Sequence, residues 1–244
     1  FPARCTRRSA AATICFAFQD LETEFWVAGH KAITTTLTEA GNTVIERNAN
    51  EDANRQLEQI NDCIAQGVDG IILIPQDGES AVTIVQTAQD ADVPIAVFNR
   101  PPSDLSRGII VVADNEEIAR QAVDFVAQEA MAAIPDRPIQ PLILVGDLGD
   151  PNAVGRRDGF YAALAPYGDR FAIEVATEWD AATALANLEA AITANPNVDL
   201  IFTSSDFLFP TIRSVLEPRG MWAPRGEAGH VLMAGLDGDA TACQ

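Results

Sequence analysis

Planar polar and aromatic side chains recur at one kind of place in this sequence, just past the ends of its short apolar runs. Gln19, Asp20, Glu22, Thr23, Phe25 and Trp26 follow the first run, Gln76 and Asp77 the third, Asn99 and Arg100 the fourth. Further on come Asp150, Asn152 and Arg156, then Trp179 and Asp180, Ser205 and Asp206, and Asp237 before Gly238. Carboxylate, carboxamide and guanidinium groups offer paired hydrogen bonds that suit neighbouring hydroxyls. Phe25, Trp26 and Trp179 could cover the C–H faces of a small polar ring. Aromatic walls with a few convergent polar groups describe a site for a carbohydrate or polyol. Bond-breaking chemistry is not signalled: the chain has no GxSxG elbow, no GxxxxGK[ST] phosphate loop and no HExxH. Neither His30 nor His230 stands in these loops, which removes the commonest general base.

Each residue alone has a plainer reading. Asp77, Asp180 and Asp206 read equally well as helix caps, and Trp26 at the head of an amphipathic helix as core. Asn99-Arg100 before Pro101 and Pro102 reads as a turn, and Glu22 and Asp150 as solvated charges. The coincidence of such residues at nearly every run end carries the functional reading.

The elements that must position them alternate regularly. Apolar, β-rich runs fall at 13–18, 42–46, 70–74, 95–98, 108–112, 142–145, 171–176, 198–202 and 230–234. Several are apolar throughout, as strands buried on both faces of a parallel sheet should be. Helical spacing joins Phe25, Ala28, Ala32, Ile33, Leu37 and Ala40, closed by Gly41; Ala53, Leu57, Ile60 and Ile64 repeat it before Gly67. Asp114 and Glu117 resemble a capping box opening a helix to about Ala133. Asp180 is expected to cap a helix over 181–195, and Ser205 or Asp206 one near 207–219. Strand-then-helix repetition predicts βαβ units. The expected architecture is α/β: two doubly wound parallel-sheet lobes joined by a hinge, residues 13–113 and 114–244. An (α/β) barrel is the alternative. In either, ligands meet the loops at the carboxyl ends of the strands.

Composition narrows the partners. Hydrophobic residues make up 48% of the 244 and charged residues 21%, an ordinary globular balance. Sixteen Lys and Arg against 35 Asp and Glu give a net charge of −19, so no basic stripe is present to bind nucleic acid or an anionic membrane. No apolar run reaches the ~20 residues of a membrane span. Cys5, Cys15, Cys63 and Cys243 form no CxxC pair, and no metal site is expected from their spacing. Cys15 in an apolar strand, and Cys63 on a helical face with Leu57 and Ile60, read as small core residues, which leaves the redox compartment open. Arg4, Arg7 and Arg8 before an apolar stretch imitate a signal peptide without a cleavage site; residues 1–12 are expected to be a poorly ordered leader.

Seven stretches in order carry a resemblance: TICFAFQDLETEFW, GVDGIILIP at 67–75, VPIAVFNR at 93–100, VVADN at 111–115, NAVGRRDGF at 152–160, TEWD at 177–180 and AGLDG at 234–238. From about Thr13 to the last residue the chain resembles the ribose/galactose/xylose-type periplasmic sugar-binding proteins of ABC importers, which share their fold with LacI-type repressor cores. The resemblance implies a ligand-stacking aromatic at Trp26, with Phe25 beside it, and an Asp-Arg pair at Asn99-Arg100, where Asn replaces the usual Asp. It implies polar ligand contacts at Asn152 and Arg156, an aromatic at Trp179, and the Asp of an FDG-like motif at Asp237. Ser205 stands where Asn is usual, and Thr23 where some members have a contacting Asn. Gln19 and Asp150 complete the expected ligand-binding set.

Members usually continue well beyond the position of Asp237 and cross back into the first lobe, so the chain reads as truncated. The implied function is capture of a small sugar or polyol by hinge closure about Ala113 and delivery to an ABC permease. It implies a non-catalytic monomer without cofactor, in the periplasm or outside the cell. Two rivals remain: the ligand-sensing core of a LacI-type regulator, and a sugar-acting barrel enzyme using Asp77, Asp206 or Asp237 as acid–base groups.

Overall fold

The computed structural model describes residues 11–167, 172–240 and 242. Residues 1–10, Cys243 and most of the expected leader lie outside that set, as does Phe171 of the expected seventh run. The chain divides into two compact units, residues 1–112 and 113–244.

The first unit runs β1 (Thr13–Phe18), α1 (Glu24–Glu39), β2 (Thr43–Asn48), α2 (Ala53–Ala65), β3 (Gly70–Leu73), α3 (Gly78–Asp90), β4 (Ile95–Phe98) and β5 (Ile109–Val111). Its five strands are all parallel in the order β2-β1-β3-β4-β5. Cys15, Ala17, Ile71, Leu73, Ile95 and Val97 turn to one face, where α2 and α3 bury Ile60, Cys63, Ile84, Val85 and Ala88. Phe16, Phe18 and Ile74 turn to the other. Helix α1 lies on that second face and contributes no fully buried residue.

Cys15 and Cys63 are core residues, fully buried as their apolar neighbours required, but they are also bonded to each other across a Cα–Cα distance of 6.1 Å. The reading as core residues holds, and the bond is what the sequence left open. The residues sit 48 apart without a motif, and only the packing of α2 on β1 brings them together.

The second unit runs α4 (Asn115–Ala133), β6 (Pro141–Val145), α5 (Pro151–Leu164), β7 (Ile173–Ala176), α6 (Ala181–Ala194), β8 (Leu200–Thr203), α7 (Phe209–Leu216) and β9 (Leu232–Ala234). Its strands are parallel in the order β7-β6-β8-β9. Leu142, Leu144 and Ile201 pack on α6 and α7; Ile143, Val145, Leu200 and Phe202 pack on α4 and α5. Two separate sheets exclude the single barrel.

Local signals account for most helix starts. Asp52, Asp77, Asp114, Asp150 and Asp180 each accept a backbone N–H of the following turn. The capping box at Asp114 is only half made, because the Glu117 carboxylate turns to Arg120 and Gln121 instead of reaching back. Neither Ser205 nor Asp206 caps a helix; their side chains are drawn to the loop after β9.

Candidate functional site

Each sheet reverses its strand order beside its first strand, between β1 and β3 and between β6 and β8. Loops at the carboxyl ends of such strands diverge and leave room for a ligand. The sequence-predicted residues stand at these two ends, one set in each unit.

In the first unit the loop after β1 leads into α1, whose opening turn carries Phe25 and Trp26 in an edge-to-face pair with centroids 4.9 Å apart. Thr23 holds the N-cap position of α1 without a side-chain capping bond. After β4 the chain turns sharply at Asn99, whose φ of 67° lies in the left-handed region that Asn tolerates. That turn places Arg100, buried, with its guanidinium carbon 5.6 Å from the Trp26 ring centroid. An Arg over an indole gains from the ring's negative face and presents its N–H fork edge-on. Arg100 Nη1 also donates to the Gln76 carbonyl at 3.0 Å. Gln19 is fully buried at the end of β1, and neither atom of its carboxamide has a hydrogen-bond partner among the described residues. A buried amide left so is costly unless a polar partner arrives.

In the second unit five predicted residues form one network. Asp150 caps α5 through the Asn152 N–H at 2.9 Å, which sets Asn152 at the first turn. Asn152 Oδ1 accepts from Asn115 Nδ2 at 2.9 Å, and Asn115 Oδ1 accepts from Arg156 Nε at 2.8 Å. Arg156 Nη1 donates to the Ser204 carbonyl at 2.6 Å, and its Nη2 lies 3.2 Å from Asp237 Oδ1. The Ser205 hydroxyl donates to the other Asp237 oxygen at 2.5 Å. Arg156 and Asp237 side chains are 12% and 13% exposed, so the ion pair is largely desolvated and its remaining donors and acceptors are fixed in direction.

Trp179 stands apart from that network, after β7. Glu178 and Trp179 both take left-handed φ values, 51° and 57°, which turn the indole back across the tip of β6. The indole lies so close over Gly146 that a Cβ there would come within 2.2–2.4 Å of three ring atoms. Its Nε1 is buried without a partner among the described residues. Gly146→Ala should therefore displace Trp179 and lower ligand affinity about tenfold, the worth of one aromatic contact. Thermal melts of the unliganded variant should stay near wild type. Titration calorimetry checks the affinity, and an unchanged dissociation constant would remove Trp179 from the site.

Three contributors were missed by sequence reasoning. Asn115 stands within VVADN beside the capping Asp114, and that adjacency is its signal. Gln56, polar on the buried face of α2 with Ile60 and Cys63, is a second signal. Asp206 was read as a cap or an acid catalyst. It accepts instead from the Gly238 N–H at 2.8 Å and from the Asp239 N–H at 3.3 Å, holding the loop that presents Asp237.

Burial pushes the Asp206 carboxyl above its usual range, the two N–H donors oppose this, and the charges of Asp237 and Asp239 add to it. A carboxyl raised on folding binds its proton more tightly in the native state, so this group's contribution to stability falls as pH rises above 3.8. Asp206→Asn keeps an acceptor for both N–H groups and should melt at or above the wild-type midpoint at pH 7, the gain shrinking toward pH 4. A lower midpoint at pH 7 would show that the charge itself is needed.

Among the described residues no three His, Cys, Asp or Glu side chains group as a metal site, and no helix is long and apolar enough to cross a membrane.

Two parallel α/β units with unsatisfied polar groups and aromatic walls at their strand ends define a ligand-binding protein of the bilobal α/β class. The chain belongs to the periplasmic binding protein domain family, whose model matches residues 14–244. It is 27% identical over 236 residues to the D-xylose-binding periplasmic protein of Escherichia coli, covering 93% of this chain and 67% of that protein. It is 22% identical to a ribose import binding protein of Bacillus subtilis, covering 94% and 71%. A solved ABC transporter solute-binding protein of Actinobacillus succinogenes with bound D-allose shares the fold. Its TM-score is 0.81 at 22% identity, covering 95% and 80% of the two chains. A carbohydrate transporter solute-binding protein of Agrobacterium radiobacter with D-arabinose gives 0.82 at 20% identity, covering 96% and 79%.

Proposed function

We propose that this protein captures a small sugar or polyol and hands it to the permease of an ABC importer. The observation that carries the reading is buried Arg100 lying over Trp26 at the strand ends of the first unit. The second unit adds the fixed Arg156, Asn152 and Asp237 network and, apart from it, the indole of Trp179. Rings that are apolar on their faces and hydroxylated at their edges match that chemistry. The D-xylose and ribose names of the relatives support the same class. A ligand bonding to both sets would favour one arrangement of the units, the hinge closure expected from the sequence. The residue assignments, the hinge near Ala113 and the monomeric state belong to this proposal.

The buried Cys15–Cys63 bond supports an oxidising compartment, the periplasm or the cell exterior. The family and the binding-protein names of the relatives support binding without turnover.

Thermal melts with saturating pentoses, hexoses and polyols test the reading. A ligand at a thousandfold excess over its dissociation constant adds about 4 kcal/mol, a shift of roughly 10 °C for a chain this size. A cooperative melt moved by no sugar or polyol would overturn it.

A further inference from the structure

Residues 74–76 leave β3 at the carboxyl end of the first sheet, where the strand ladder no longer supplies partners. The Ile74 N–H still reaches Ala17 O at 2.8 Å, but the Ile74 carbonyl and the Gln76 N–H lie past the last strand residue, Leu73. Backbone groups at such a depth must be paired. Gln56, fully buried on α2, pairs both: its Nε2 donates to Ile74 O at 3.0 Å and its Oε1 accepts from Gln76 N at 3.0 Å. A carboxamide is the neutral group that offers a donor and an acceptor in one fork, which explains a polar residue on a face otherwise occupied by Ile60 and Cys63. The clamped segment leads directly into the Gln76 carbonyl, one Cα beyond the held N–H, and that carbonyl accepts from Arg100 Nη1 at 3.0 Å. Arg100 in turn lies over Trp26. A chain of contacts thus runs from α2 through residues 74–76 to the guanidinium and the indole.

We propose that Gln56 is a positioning residue for ligand capture, fixing the Gln76 carbonyl that aims Arg100 across Trp26. The proposal rests on the sugar-binding reading for its consequence but not for its geometry. Without the fork, residues 74–76 gain freedom, the carbonyl drifts, and the guanidinium loses the direction in which it donates.

The test is a double-variant cycle between Gln56→Leu and Arg100→Ala with two readouts. The first needs no ligand: the 15N–1H signal of the Trp26 indole, assigned with Trp26→Phe. Gln56→Leu is expected to move this signal, and to move it no further once Arg100 is alanine. The second is calorimetric binding of D-xylose, the probe chosen. Gln56→Leu is expected to weaken it at least tenfold, with less than a twofold further loss in the Arg100→Ala background. Gln56→Glu keeps the acceptor for Gln76 and loses the donor to Ile74, and serves as the second variant if Gln56→Leu does not fold. Independent, multiplying effects in the two backgrounds, or an unmoved indole signal, would overturn the proposal. If D-xylose binds no variant and not the wild type, that result counts against xylose as the ligand, and the indole cycle still decides the role of Gln56.

Discussion

Arg156→Ala is expected to abolish ligand binding and to lower the stability of the second unit by about 3–5 kcal/mol, the usual cost of stripping one partner from a buried ion pair. Three acceptors lose their donor at once: Asn115 Oδ1, the Ser204 carbonyl and Asp237 Oδ1. Asp237, 13% exposed, would keep Ser205 as its hydrogen-bond donor but lose its ion-pair partner among the described residues. The midpoint should fall by roughly 10 °C. Arg156→Lys keeps the charge but loses the planar fork that reaches three directions, so it should recover part of the stability and little of the affinity. Thermal melts and calorimetry on both variants check this. A midpoint within two degrees of wild type, with binding retained, would show that the network is ornamental to both fold and site.

Removing both halves of the disulfide, Cys15→Ala with Cys63→Ala, should cost a similar amount in the first unit. Closing a 48-residue loop restricts the unfolded chain by about 4 kcal/mol in the chain-entropy account. The double variant avoids leaving a single thiol that could pair with another cysteine. Its melt should resemble that of reduced wild type, both roughly 10 °C below the oxidised protein. Coincident midpoints for oxidised and double-variant protein would show that helix packing alone holds α2 to β1.

Much of the fold was legible because burial on both faces leaves a plain mark. TICFAF is apolar after its opening Thr13, and β1 spans those six residues as an interior strand of its sheet. The second strand was harder: expected at 42–46, it runs Thr43–Asn48, because an edge strand mixes exposed and half-buried residues and tapers into polar ones. The strand-end positions of the candidate site followed from the alternation alone. Its bonding did not. Asp180 and Asp77 could be read as caps because their partners are three residues away. Asp206 bonds to amides 32 and 33 residues on, beyond any local pattern. Trp179 could be named as a wall, but not that Gly146 makes room for it. Gln56 showed only as a polar interruption of an apolar face, and its fork needed the end of β3 to explain it.

The Cys15–Cys63 bond also closes a covalent ring, and α1 and β2 lie wholly within it. The turn joining them, at Ala40 and Gly41, is exposed. A protease severing that turn would release no fragment, because β1 and α2 would hold the two cut ends on one molecule. Phe25 and Trp26 would remain tethered, and a nicked chain would migrate intact on a denaturing gel until a thiol reductant split it. In the periplasm or cell exterior proposed above, the bond would convert what would be loss of the helix carrying Phe25 and Trp26 into a silent scar.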